Sequence, residues 1–172
     1  MEKRDITLRL CAGRVKRWHS FPHHGEQTVG EHTYGVVQIL RYITNDMCST
    51  TTLLAALDHD AAEAMLGDIT FHAKKQLGEK VKELEAGIAE MHGLARPLNE
   101  EEERVVKLAD LLEMGIWACN QIQLGNQAAG LVLSTVIDEI EGMEVLNAYP
   151  KAEDIYNEFK EFTPGAGDTD GE

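Results

Sequence analysis

The sequence has few cysteines and no close pair of them: Cys11, Cys48 and Cys119 are scattered over 172 residues. Without a CxxC pair there is no thiolate zinc knuckle to build, and such spacing argues against a disulfide framework. Free thiols in a reducing compartment are the expectation. Long apolar runs are missing as well. No stretch approaches the roughly 20 residues that cross a bilayer. The opening residues, MEKRDITLRLCAG, intersperse charge where a secretory signal would be apolar. Positive charge is scarce: 16 Lys+Arg against 30 Asp+Glu leave −14 at pH 7, which repels a phosphate backbone. The sequence therefore predicts a soluble cytoplasmic protein with neither a membrane nor a nucleic acid as partner. Two-residue alternation and internal repeats are also absent, which speaks against half-buried strands and solenoids.

What is present is ordinary globular composition, 43% hydrophobic and 27% charged, at a length that fits one domain with a real core. Apolar residues recur every three or four positions, so the expected fold is an all-α helical bundle. The single domain is expected over residues 1–162. The tail TPGAGDTDGE, residues 163–172, is too polar and glycine-rich to order itself.

Thr28 and Glu31 in TVGEH form a capping-box pattern, followed by Val36, Ile39, Leu40 and Ile43 on one face. A second helix is expected from about Leu53 to Met65, capped by threonines 50–52 and stopped at Gly67. Val81, Leu84, Ile88 and Met91 form a third stripe. Asn99 with Glu100–Glu103 marks a further start, for a helix running through Trp117 to about Leu124. After the turn at Gly125–Asn126, one helix carries Leu131, Val132, Ile137 and Ile140, and a last one runs from about Lys151 to Phe162.

Three of these helices place an ionisable group on an apolar stripe. His32 precedes Val36, Asp60 follows Leu53, Ala56 and Leu57, and Asp110 sits between Val106 and Met114, with Trp117 beyond. His59 adjoins Asp60. A lone core histidine is commonplace, but a carboxylate on a packed face needs a cation or several donors. Two imidazoles and two carboxylates delivered together are reconciled by a divalent metal, with positions left for water and substrate oxygens. Met114 and Trp117 read as core, Glu100–Glu103 as a solvated first turn, and Tyr34 carries no catalytic task.

The pattern His32 … His59-Asp60 … Asp110 resembles the HD-domain metal phosphohydrolases, an all-α family. RW at 17–18, TVGEH, HDAAEAMLGD and VVKLADLLE resemble the branch containing bacterial 5′-deoxynucleotidases. RWHSFPHHGEQTVGEHTYGV is similar to small phage-type members, including viral dATP triphosphohydrolases. The resemblance spans roughly residues 10 to 120. It implies His32, His59, Asp60 and Asp110 as metal ligands and Glu63 as the catalytic glutamate that orients or deprotonates the attacking water. Arg17 and Lys74 match phosphate-contacting cations, Trp18 a residue packing on sugar or base, and Asp68 the reader of deoxyribose. The family often has prolines after the Gly-Asp pair, where this chain reads GDITFHAKK. The implied cofactor is a divalent cation: zinc, cobalt, manganese, iron, nickel or magnesium. The implied partners are a small deoxynucleotide and further copies of the chain as a homo-oligomer.

The expected activity is hydrolysis of 2′-deoxynucleoside triphosphates, dATP favoured by resemblance, through water attack at the α-phosphorus. Two basic clusters, Arg14/Lys16/Arg17 and Lys74/Lys75, with His19, His23 and His24 between them, suit a polyphosphate of about four negative charges. A 5′-deoxynucleotidase releasing orthophosphate is the alternative, with a phosphodiesterase and a non-hydrolysing nucleotide sensor as lesser ones.

Overall fold

Among the described residues, 6–162 without the side chains of 71, 72 and 75, the computed structural model contains helices and no strand. The expectations placed on tail 163–172 and on Lys75 lie outside the described residues. The helices are α1 (Ile6–Ala12), α2 (Val29–Ile43), α3 (Thr50–Asp58), α4 (Glu63–Leu66), α5 (Phe71–Leu77), α6 (Glu79–Met91), α7 (Glu100–Gln123), α8 (Ala129–Glu141) and α9 (Pro150–Glu161), with a 3₁₀ turn at Glu144–Ala148. None is long and apolar enough to cross a membrane.

Reciprocal caps start the two helices that matter most. Thr28 Oγ1 accepts from Glu31 N while the Glu31 carboxylate accepts from Thr28 N, which opens α2. Asn99 and Glu102 do the same for α7. Helix α7 is the spine. Its Leu108, Leu111, Leu112 and Ala118 are fully buried against Val36 and Leu40 of α2, Leu133 and Ile140 of α8, and Tyr156 and Phe159 of α9. Helix α9 reaches the spine because residue 115 is glycine: a Cβ there would stand 2.3 Å from the Phe159 ring. A smaller cluster of Leu8, Ala12, Ala61, Ala62, Ile88 and Leu94 ties α1 and α6 to the site region.

Three sequence expectations need correction. The helix expected over 53–65 is broken. Residues 59–62 switch to i→i+3 bonding, with Ala61 N donating to Asp58 O and Glu63 N to Asp60 O. The break falls where successive residues must both reach the site, positions that a continuous α-helix turns about 100° apart. The cap of α3 is Ser49 rather than a threonine, since the helix begins at Thr50, three residues before the expected Leu53, and takes the threonines into its first turn. Leu57, Leu84, Met91 and Leu131 are exposed, not inward. On α3 the inward place is taken by Asp58, held by Arg9 and Arg96. Helices α1 and α5 were not expected from periodicity; both are seven residues long, too short for a clear apolar stripe.

Candidate active site

The segment before α2 is laid back along its start. Gly30 N donates to Gly13 O, Val29 N to Val15 O, and Arg17 N to Gln27 O. This approach needs glycine at position 30, where a Cβ would lie 2.9 Å from Gly13 O. The chain then turns at Trp18, whose φ of 62° is left-handed and strained for a side-chain-bearing residue. Asp68 Oδ2 accepts from Trp18 N at 3.1 Å, and the indole stacks on Trp117 at 3.9 Å and 8°. Arg17 and Trp18 are thereby delivered to the face where α2, α3 and α7 meet.

The four side chains expected to share an ion converge there. His32 Nε2 lies 3.3 Å from His59 Nε2, 3.2 Å from Asp110 Oδ1 and 3.6 Å from Asp60 Oδ2, and His59 Nε2 is 3.3 Å from Asp60 Oδ2. The ligand atoms of His32, His59 and Asp110 fall within 4.8 Å of one another. Bonds of about 2.0–2.2 Å to one ion separate neighbouring ligand atoms by roughly 3.0–3.5 Å, so the spacing fits a single divalent cation. The second ring nitrogens agree. His32 Nδ1 donates to Glu113 Oε2 and His59 Nδ1 to Ala56 O, which leaves both Nε2 lone pairs facing the shared centre.

Without a cation the cluster takes up protons. Burial works against charge on His59, but the Asp60 carboxylate and its hydrogen bond outweigh it and raise the imidazole to about 9. His32 is raised too, burial being overcome by Asp110 and Glu113. Burial also opposes ionisation of Asp60 and Asp110, yet both are held below the usual carboxylate range, Asp60 chiefly by His59 and Asp110 chiefly by Lys107.

Around this cluster one pocket is lined by Arg17, Trp18, Asp60, Glu63, Asp68, Lys74, Lys107 and Asp110 among others. Glu63 is 2% exposed; Lys74 Nζ stands 3.4 Å from its Oε1, and its Oε2 has no partner. Burial first, then the charge of Asp60, pushes the Glu63 carboxyl up to about 8. Lys74 also reaches Glu85 at 3.2 Å and Asp60 at 3.9 Å, so α5 supplies a cation without the family's prolines, its start capped by Thr70. Arg17 approaches Asp60 at 3.5 Å, and its buried Nε has no partner.

Several expectations shift. Lys16 pairs with Glu26 at the surface and Arg14 is exposed, so neither lines the pocket. His19 Nδ1 stands 3.5 Å from Asp68; His23 Nδ1 bonds Phe21 O, and His24 N donates to Gln121. Met114, read as core, also lines this pocket and an adjoining apolar one with Trp18, Phe21, Val132 and Val136. Three residues were not anticipated. Lys107 donates to Asp110 Oδ2 at 2.7 Å, Glu113 holds His32, and Gln27 Nε2 donates to Glu113 at 2.8 Å. Lys107 and Glu113 each lie three positions from Asp110, a helical neighbour signal that was available.

The HD domain family model matches residues 13–114, the stretch that carries every one of these groups from Arg17 to Glu113. This chain belongs to the HD-domain family. HD domains bind divalent metal, and His59-Asp60 is the adjacent pair of this one. Among solved structures, the PH0347 protein from Pyrococcus horikoshii OT3 superimposes with TM-score 0.69 at 25% identity, over 91% of this chain and 96% of that one. The cyanophage S-2L HD phosphohydrolase DatZ, solved with dA and one catalytic Zn2+ ion, gives 0.65 at 21% identity, over 91% and 95%. The latter likeness concerns the fold. No curated protein matches the chain.

Proposed function

We propose that this HD-domain chain is a metal-dependent phosphohydrolase of 2′-deoxynucleoside triphosphates, with dATP favoured, releasing deoxynucleoside and inorganic triphosphate. The observation that carries the reading is a single pocket where Arg17, Lys74 and Lys107 stand beside Asp60, Asp110 and the buried Glu63. His32, His59, Asp60 and Asp110 are the groups to hold the cation, which when bound makes water more acidic and polarises a phosphoryl oxygen. Glu63 orients the attacking water through its unpartnered Oε2 and accepts the proton. The bond between the α-phosphorus and the 5′ oxygen breaks, and that oxygen leaves with a proton. The three cations balance negative charge building on the phosphate oxygens. Trp18 walls the sugar and base, Asp68 takes the sugar, and the adjoining apolar pocket suits a nucleobase. The dA and Zn2+ held by the cyanophage relative support pairing a metal with a deoxynucleoside.

A 5′-deoxynucleotidase is the second reading. It is favoured by the diversion of Lys16 to Glu26, which leaves fewer cations for a long phosphate chain. Metal-supplemented hydrolysis with product analysis separates the two. Inorganic triphosphate from dATP supports the first, orthophosphate from dAMP the second, and no hydrolysis with any divalent metal overturns both. Equal cleavage of ribonucleotides removes the role given to Asp68.

A further inference from the structure

A chain of hydrogen bonds links the buried imidazole of His32 to the wall of the pocket, its donors pointing toward Glu113 from both ends. The Trp18 indole N–H can only donate, and it donates to Gln27 Oε1 at 2.8 Å. That contact fixes the orientation of the Gln27 amide, whose Nε2 donates to Glu113 Oε1 at 2.8 Å. Glu113 accepts with its other oxygen from His32 Nδ1. His32 is thus left with its Nε2 lone pair directed toward His59, Asp60 and Asp110. Gln27 is 9% exposed and His32 fully buried, so water does not readily replace these partners.

Two further features show that the chain is built in. Residue 35, one turn beyond His32, is glycine, and a Cβ there would stand 2.8 Å from Glu113 Cγ. The carboxylate, pinned at both oxygens, has little room to yield. At the other end Trp18 keeps its left-handed backbone through Asp68, Gln27 and the Trp117 ring together.

We infer that Glu113 and Gln27 are positioning residues that hold His32 in its metal-binding tautomer and tie it to Trp18, so that metal loading and the order of the pocket wall are coupled. The inference rests on the reading of His32 as a metal ligand. By linkage, the coupling is reciprocal: disturbing the wall at Gln27 weakens metal binding, and binding the metal alters the Trp18 environment.

The test needs no nucleotide. Zinc affinity is measured by competition with a chromophoric chelator, and indole emission is followed through the same titration, for the wild type, Glu113→Gln, Glu113→Leu and Gln27→Leu. Glu113→Leu weakens zinc by about 10–100-fold, the range for lost partners of metal-ligating histidines. Glu113→Gln, which keeps an acceptor oxygen, weakens it less, and it also serves if the leucine variant fails to fold. Gln27→Leu, one hydrogen bond further from the ion, weakens zinc less than Glu113→Leu but measurably, and abolishes most of the zinc-induced emission change. Unchanged zinc affinity in Gln27→Leu and Glu113→Gln overturns the inference while sparing the metal reading. Weakened zinc with an undiminished emission response overturns the coupling. A wild type that binds no zinc overturns both the metal reading and this one.

Discussion

His32 Nε2 and His59 Nε2 face each other across 3.3 Å, each ring turned so that its other nitrogen is already engaged. Two lone pairs at that separation repel unless a proton or a cation lies between them. The pH behaviour of the protein follows from which of the two is present. In the metal-free protein His59 is raised to about 9, so its contribution to stability is complete below about 6.5 and is lost as pH rises through 9. Glu63, raised to about 8 from 4.5, also costs stability as pH climbs through that interval. Thermal unfolding in chelator is therefore expected to show a falling midpoint between pH 6 and 9. Zinc needs deprotonated imidazoles, so the increment it adds grows over the same range. A chelated protein whose midpoint rises with pH contradicts this.

Glu63→Gln keeps the shape of a side chain that is almost wholly buried but removes the base. Turnover is expected to fall by about 10²–10⁴-fold, with zinc affinity within about threefold of wild type because Glu63 is not among the ligands. Steady-state kinetics and chelator competition on one preparation check both. Retained turnover removes Glu63 from the proposed chemistry, and lost zinc binding makes it a ligand.

Asp58 is a structural anion. It accepts from Arg9 and, at 3.1 Å, from Arg96, and its side chain is 5% exposed. Asp58→Ala removes the shared carboxylate from two partly buried guanidinium groups and is expected to cost about 3 kcal/mol, the lower end for breaking a buried pair. Denaturant unfolding in chelator measures it. A loss under about 1 kcal/mol, the range of exposed pairs, contradicts the assignment.

The convergence was legible because the chain breaks its own pattern. His32 and Asp110 sit on apolar stripes that include Val36, Leu40, Val106 and Met114, and burial follows those stripes closely. The capping boxes at Thr28 and Asn99 were equally local and equally readable. Asp58 was harder, because its partners Arg9 and Arg96 lie 49 and 38 residues away. Glu113 reads as one more acid on a long helix until His32 is set against it. Gln27 lies before a helix, where no periodicity operates, and its part depends on a backbone reversal at Trp18 that Asp68 and Trp117, distant in sequence, help to hold. The break after α3 escaped notice because its residues, Ala61 and Ala62 among them, are good helix formers, and the switch in hydrogen bonding serves the site rather than local propensity.

Everything proposed for the site requires that His32, His59, Asp60 and Asp110 hold one divalent ion. X-ray absorption at the zinc edge on the zinc-loaded protein tests it most directly. Nitrogen and oxygen neighbours at about 2.0–2.2 Å are expected, with outer-shell scattering from two imidazoles that falls to one in His59→Ala. A sulfur shell near about 2.3 Å, drawn from Cys11, Cys48 or Cys119, or a spectrum without imidazole scattering, would contradict it.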